Sequence, residues 1–134
     1  MKQRTSKHYL AILLASLLFS ISCNKSGNNS PEPRSRNIKF EISGNFSGKL
    51  LLVYTREDGN GNTTVNDISV PWSRELVYAS NVKTIGVGGN ASAVGVAGQK
   101  ITFKIYSGNS LVVSGDATAG SLGEIVIPAL TFSF

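Results

Sequence analysis

Beyond residue 37 the chain alternates apolar and polar positions with a period of two. Ile38, Phe40 and Ile42 are separated by Lys39, Glu41 and Ser43, which puts three apolar side chains on one face of an extended segment. Lys49 to Thr55 predicts a second, more uniformly apolar strand. Arg56 to Asn62 is a polar turn that closes a hairpin onto Thr63 to Val70. Arg74 to Ala79 and Asn81 to Val87 predict shorter strands, and Ala91 to Ala97 one weakened by glycine. Ile101, Phe103 and Ile105 alternate with Thr102, Lys104 and Tyr106, after which Ser107-Gly108-Asn109-Ser110 turns the chain into Leu111 to Ser114. The final strand lies within Gly123 to Phe134, where Pro128 predicts a bulge or an edge position because proline cannot donate to a ladder. No segment carries a helical apolar stripe of useful length. The spacing therefore predicts an all-β chain, an immunoglobulin-like antiparallel β-sandwich of about seven to nine strands. Ala91 to Ala97 and the strand near Pro128 are the expected sheet edges, where unpaired backbone groups accept a partner strand.

The N-terminus follows a different pattern. A basic start with Lys2, Arg4 and Lys7 precedes an apolar run from Tyr9 to Ile21, the layout of a signal peptide and too short for a comfortable membrane span. Ser20-Ile21-Ser22-Cys23 resembles a bacterial lipobox, in which a small residue directly precedes the cysteine that receives the lipid. Cys23 is the only cysteine of the 134 residues, so it has no pairing partner within the chain, and lipidation is the role expected of it. A doubly or triply acylated cysteine holds a protein on a membrane without a transmembrane helix. Asn24 to Asn37 is Asn, Ser, Gly, Pro and charge with no apolar residue, a composition expected of a disordered tether. The expected organisation is a signal peptide over 1–22, a lipidated cysteine and tether over 23–37, and a sandwich domain over 38–134. No acidic run follows Cys23, which favours the periplasmic side of the envelope, with the outer membrane preferred to the inner.

Charge and side-chain inventory then narrow the function. The formal charge is +5, but it is concentrated before the domain: between Ile38 and Phe134 seven basic residues meet seven acidic ones. A nucleic-acid surface needs clustered Lys and Arg, so no nucleic-acid partner is expected. Gly86-Val87-Gly88-Gly89-Asn90-Ala91 imitates a dinucleotide loop, yet no Asp or Glu occurs between Glu75 and Asp116 to meet a ribose. No nucleotide or other cofactor is expected. Asp58, Asn60 and Asn62 have the spacing of a calcium loop's first ligands, but Thr63 and Ser69 stand where its glycine and closing glutamate belong. A hairpin turn is expected there, and no metal. The only histidine is His8, so the mature chain has no imidazole base for a serine nucleophile, and no enzymatic activity is expected.

A family resemblance rests on several residues together. A first strand ending near Ser43-Gly44, Val53-Tyr54-Thr55 running into an Asp58-Gly59 turn, Val70-Pro71-Trp72-Ser73, and Ile101-Thr102-Phe103-Lys104-Ile105 before a Gly108 hairpin resemble the extracytoplasmic domain of the MmpS family, small membrane proteins of mycobacteria. The similarity spans Ile38 to Ser114. It implies an anchored β-sandwich that accompanies a large proton-driven exporter, hence an envelope protein partner. Two features depart from the family pattern: the domain lacks its cysteine pair, and Cys23 stands in place of its anchoring helix. The other expectation is a free-standing envelope or surface lipoprotein that binds a glycan or a protein ligand. Trp72 is expected in the core or capping one end of it. A partner patch, if built from aromatics, would take Trp72 with Tyr78 and Tyr106 as exposed contributors.

Overall fold

The computed structural model describes residues 34–134; the expectations for Cys23, the signal peptide and most of the tether lie outside the described residues. Eight strands form two antiparallel four-stranded sheets: β1 (Asn37–Gly44), β2 (Lys49–Thr55), β3 (Asn62–Ile68), β4 (Trp72–Val77), β5 (Thr84–Ala93), β6 (Lys100–Ser107), β7 (Ser110–Thr118) and β8 (Val126–Ser133). One sheet has the order β4-β1-β6-β7 and the other β3-β2-β5-β8. Consecutive strands β1 and β2 lie inside opposite sheets and pair with β4 and β5 respectively, the interlock that relates the B/E and C/F pairs of immunoglobulin-like sandwiches. No helix occurs among the described residues.

The period-two pattern is what builds the core. Ile38, Phe40 and Ile42 on β1 and Ile101, Phe103 and Ile105 on β6 form one inner face, opposite Leu50, Leu52 and Tyr54 on β2 and Ile85 and Val87 on β5. The Phe40 ring meets Tyr54 across the sandwich at 5.3 Å and Phe103 in its own sheet at 6.1 Å, offset contacts that such rings prefer. The outer face of the first sheet carries Lys39, Glu41 and Lys104, with Lys39 Nζ 3.0 Å and Lys104 Nζ 3.8 Å from Glu41 carboxylate oxygens.

Several boundaries differ from the sequence pattern. Asn81–Val87 and Ala91–Ala97 are not two strands: a turn at Ser80–Asn81 leads into the single β5, and Val94 to Ala97 leave the sheet as a loop. Gly86, Gly88 and Gly89 lie mid-strand, Gly95 follows in the loop, and β5 is an inner strand held on both sides, by β2 and β8. Pro128 fulfils both of its expected roles. β8 is an edge strand, and its register slips by one residue between Leu130 and Ile127, around Pro128 and Ala129. The tether also ends earlier than its composition indicates, because Asn37 already belongs to β1 and residues 34–36 are fastened to the domain.

Candidate functional site

The strand directions give the sandwich two distinct ends. At the entry end lie Arg34 to Arg36, the β2–β3 and β6–β7 hairpin turns, the β4–β5 turn and the C-terminus. At the far end, one strand length away, or roughly 25 Å for eight residues, lie the β1–β2, β3–β4, β5–β6 and β7–β8 connections.

Three consecutive residues fasten the entry end. Arg36 donates from one guanidinium nitrogen to the carbonyls of Ala79 at 2.7 Å and Val82 at 2.8 Å, and its guanidinium lies 4.4 Å from the centre of the Phe134 ring. The Arg36 carbonyl accepts the Tyr78 N–H at 2.9 Å. Ser35 offers its carbonyl to the Ser107 hydroxyl at 2.7 Å, and Arg34 donates to the Ser133 carbonyl while lying over Phe132 at 5.3 Å. Planar guanidinium groups combine such carbonyl bonds with ring stacking, which an ammonium does less well. The segment before β1 is therefore clasped to the last strand and to the β4–β5 turn. Composition hid this, because the clasp uses no apolar side chain of its own. The signal available in the sequence was a pair of arginines just before the first strand and a Phe-x-Phe ending.

The three aromatic candidates are not brought together. Tyr78 is a correction: it is 2% exposed, not a surface residue. Its hydroxyl donates to the Thr55 carbonyl at 2.7 Å, and its ring meets Phe134 at 5.9 Å. Burial pushes its phenol well above the ordinary tyrosine range. The physical reason is its place just after β4, where the chain turns inward under the Arg36 clasp. Trp72 is half-buried against the core at the start of β4, beside a shallow depression with Glu41, Ser43 and Pro71 at the far end. Tyr106 is half-buried on the outer face of the first sheet, with Lys39 Nζ 4.4 Å from its ring centre. It lines a polar depression of about 280 Å³ with Asn37, Lys39, Glu75 and Asn109. Across the Gly108–Asn109 turn a second depression of about 500 Å³ is lined by Arg34, Ser35, Ser110 and Phe132, among others.

The remaining polar motifs are absorbed locally. Asp58 accepts the Asn60 N–H at 2.8 Å and pairs with Arg56 at 2.8 Å; the backbone hydrogen bond from Asn60, with the nearby Arg56 charge, holds its carboxyl below the usual range. That carboxylate is thus occupied by the hairpin turn itself. Glu41 is likewise held low by its hydrogen bond from Lys39, against a smaller opposing effect of desolvation. The Gly86–Ala91 motif is part of β5 and opens no helix. Among the described residues, no three His, Cys, Asp or Glu residues gather as a metal site would require.

Of the two expected edges, the Pro128 strand is one, whereas Ala91 to Ala93 belong to the inner strand β5 and Val94 to Ala97 to a loop; all four edge strands carry obstructing features. β3 carries an extra residue opposite β2, with Asp67 in the left-handed region at φ 58°. On β4, Arg74 occupies a position in line with the inward-facing Leu76 and Trp72. β7 carries an extra residue opposite Ile105–Tyr106, and β8 has Pro128. Bulges, inward charges and proline are the devices that blunt edges.

Exposed apolar side chains are concentrated instead at the far end. Val94, Val96, Leu122 and Val126 are 61 to 80% exposed, and all lie on or just after the β5–β6 and β7–β8 loops. The two loops are joined: Gly95 N–H donates to the Gly123 carbonyl at 2.8 Å and Gly98 N–H to the Ala119 carbonyl at 2.9 Å. Gly123 has φ 78°, and a side chain there would collide with the Gly95 carbonyl, so glycine is needed for the loops to meet. Val94 and Val96 lie in the Ala91 to Ala97 stretch expected to meet a partner, whereas period-two reading does not reach Leu122, which lies outside every predicted strand. No protein-family model matches the chain, and no curated protein matches it.

Proposed function

We propose that this chain is a lipid-anchored bacterial envelope protein, acylated at Cys23, whose β-sandwich is a binding module that works by contact and not by catalysis. The resemblance to the MmpS family supports an accessory role beside an envelope transport complex, at the periplasmic face of the outer membrane. The observation that carries the reading is the clasp of Arg34 to Arg36, because it attaches the anchoring segment to one end of a rigid domain. Asn24 to Pro33 then span at most about 35 Å between anchor and domain. Among the described residues no helix is long and apolar enough to cross a membrane, and the reading assigns the anchor to Cys23.

Membrane fractionation tests this. The natural chain should sediment with membranes and incorporate labelled acyl groups, and Cys23→Ala should appear in the soluble fraction without label. Membrane association of Cys23→Ala that persists in high salt would refute the anchor. The two depressions beside Asn109 favour a second reading, a lipoprotein that binds a glycan, since amides, hydroxyls and a tyrosine ring match sugar hydroxyls and faces. Retention of the protein on polysaccharide columns, lost in Asn109→Ala, would favour that reading.

A further inference from the structure

We infer that the far end, formed by Val94, Val96, Leu122 and Val126, is a preformed docking tip that inserts into an apolar recess of a second, different envelope protein. The inference rests on the proposed anchor at Cys23 only for the direction in which the tip faces.

The polar groups at this end are turned to internal use. Gln99 Oε1 accepts from the Ser47 N–H at 2.9 Å, the Ser47 hydroxyl at 3.0 Å and the Val96 N–H at 2.9 Å. Glu124 Oε2 accepts the Leu122 N–H at 3.0 Å, and Asn45 Oδ1 accepts the Lys100 N–H at 2.7 Å. These bonds, with the backbone bonds between the loops, order both loops before any partner arrives. Preorganisation lowers the ordering cost of association, and it suits a rigid knob better than a surface that must wrap a flexible peptide. Four large aliphatic side chains point outward here, beside the exposed Ser121 and Glu124. Four of the six large apolar side chains most exposed among the described residues are here, and such clustering on a monomer marks interaction sites.

Three observations select the occupant. The 33 residues outside the described structure join the domain at Arg34, at the opposite end. An anchor joined there enters the domain at the end away from the tip. Residues 94–99 and 119–125 contain no Lys or Arg, whereas segments that lie on anionic lipid surfaces are rich in both. Finally, the four side chains expose on the order of 400 Å², about half of the ~800 Å² per partner that a stable interface buries. A symmetric contact between two copies of this tip alone would be too small, while a knob seated in a recess also buries its flanks.

The test uses the full-length lipidated protein in its own cells, with a photocrosslinking residue placed at Val96, at Leu122, or at Val77, which is exposed on the first sheet near the entry end. The tip positions should crosslink to one and the same envelope protein and Val77 should not. Leu122→Asp should reduce that crosslink from Val96 by roughly tenfold or more, with an unchanged thermal midpoint. The purified partner should bind the natural protein and lose affinity for Leu122→Asp by a similar factor. Crosslinks from the tip only to lipid, only to a second copy, or to nothing would overturn the inference, as would a partner equally crosslinked in Leu122→Asp. If Leu122→Asp lowers the midpoint, Val94→Asp read in the same way replaces it. Fractionation of the same cells separates the two claims: a membrane-bound protein with a silent tip refutes the tip alone, and a soluble protein with an active tip refutes the anchor alone.

Discussion

Arg36→Ala should cost this domain far more than removal of an ordinary residue from a flexible tether. The natural side chain makes two hydrogen bonds from a charged donor, to the carbonyls of Ala79 and Val82, and lies over Phe134. Hydrogen bonds to charged groups contribute about 1.5–3 kcal/mol when shielded from water, and the bond to Ala79 is exposed and worth less. A cation–π contact near the surface adds about 0.5–1 kcal/mol. Allowing for a half-exposed guanidinium, the loss comes to about 2–3 kcal/mol. For a domain of this size that lowers the thermal midpoint by roughly 10–20 °C. Urea denaturation of Arg36→Ala, Arg36→Met and Arg36→Lys reads the parts separately. Methionine keeps the aliphatic stem and should lose nearly as much as alanine, while lysine keeps the charge and should recover only part. A loss below about 0.5 kcal/mol for Arg36→Ala, the range of neutral surface substitutions, would show that the segment before β1 is not a structural clasp.

Two of the three aromatic binding candidates should separate by stability. Tyr78→Ala removes a buried ring and a 2.7 Å hydrogen bond and should cost about 3–5 kcal/mol, whereas half-buried Trp72→Ala should cost about 1–2 kcal/mol; denaturant midpoints with unchanged slopes would establish the order. Burial also raises the phenols of Tyr54 and Tyr78. A folded-state value above the unfolded one means that the stability these groups carry is fully present below about pH 10 and is lost as pH rises beyond it. The thermal midpoint should therefore fall above that pH, and Tyr78→Phe should lessen the fall; a flat alkaline profile would contradict the burial of both phenols.

What the sequence made legible was whatever repeats with the pleat. Ile38-Phe40-Ile42 and Ile101-Phe103-Ile105 announce half-buried strands because one face must be apolar and the next wet. Their partners, Leu50 to Tyr54 and Ile85 to Val87, announce the opposing sheet. Pro128 could be placed because its missing N–H has a single structural meaning in a ladder. The break expected between Val87 and Ala91 does not occur, since sequence gives the cost of Gly88 and Gly89 in a strand but not the neighbours on both sides that outweigh it. Tyr78 was misplaced because its burial depends on Thr55 and on Arg36, distant in the chain and unrelated by any period. The clasp and the joining of the two far-end loops were invisible for the same reason: each is made by segments that meet only after the sheets have formed, although Val94 and Val96 lie in a stretch already expected to meet a partner. Cys23 is legible as a motif, from the Ser20-Ile21-Ser22 that precedes it.

The central claim is that the domain is held to a bilayer by its entry end through Cys23, with the tip facing away. Paramagnetic relaxation by nitroxide-bearing lipids, measured on the acylated protein in lipid nanodiscs, tests it most directly. Amide signals of Gly108, Asn109 and Ser80 should be broadened strongly, those of Val96 and Leu122 little, and none in soluble Cys23→Ala mixed with the same nanodiscs. Broadening that is equal at both ends, stronger at the tip, or undiminished in Cys23→Ala would contradict the account.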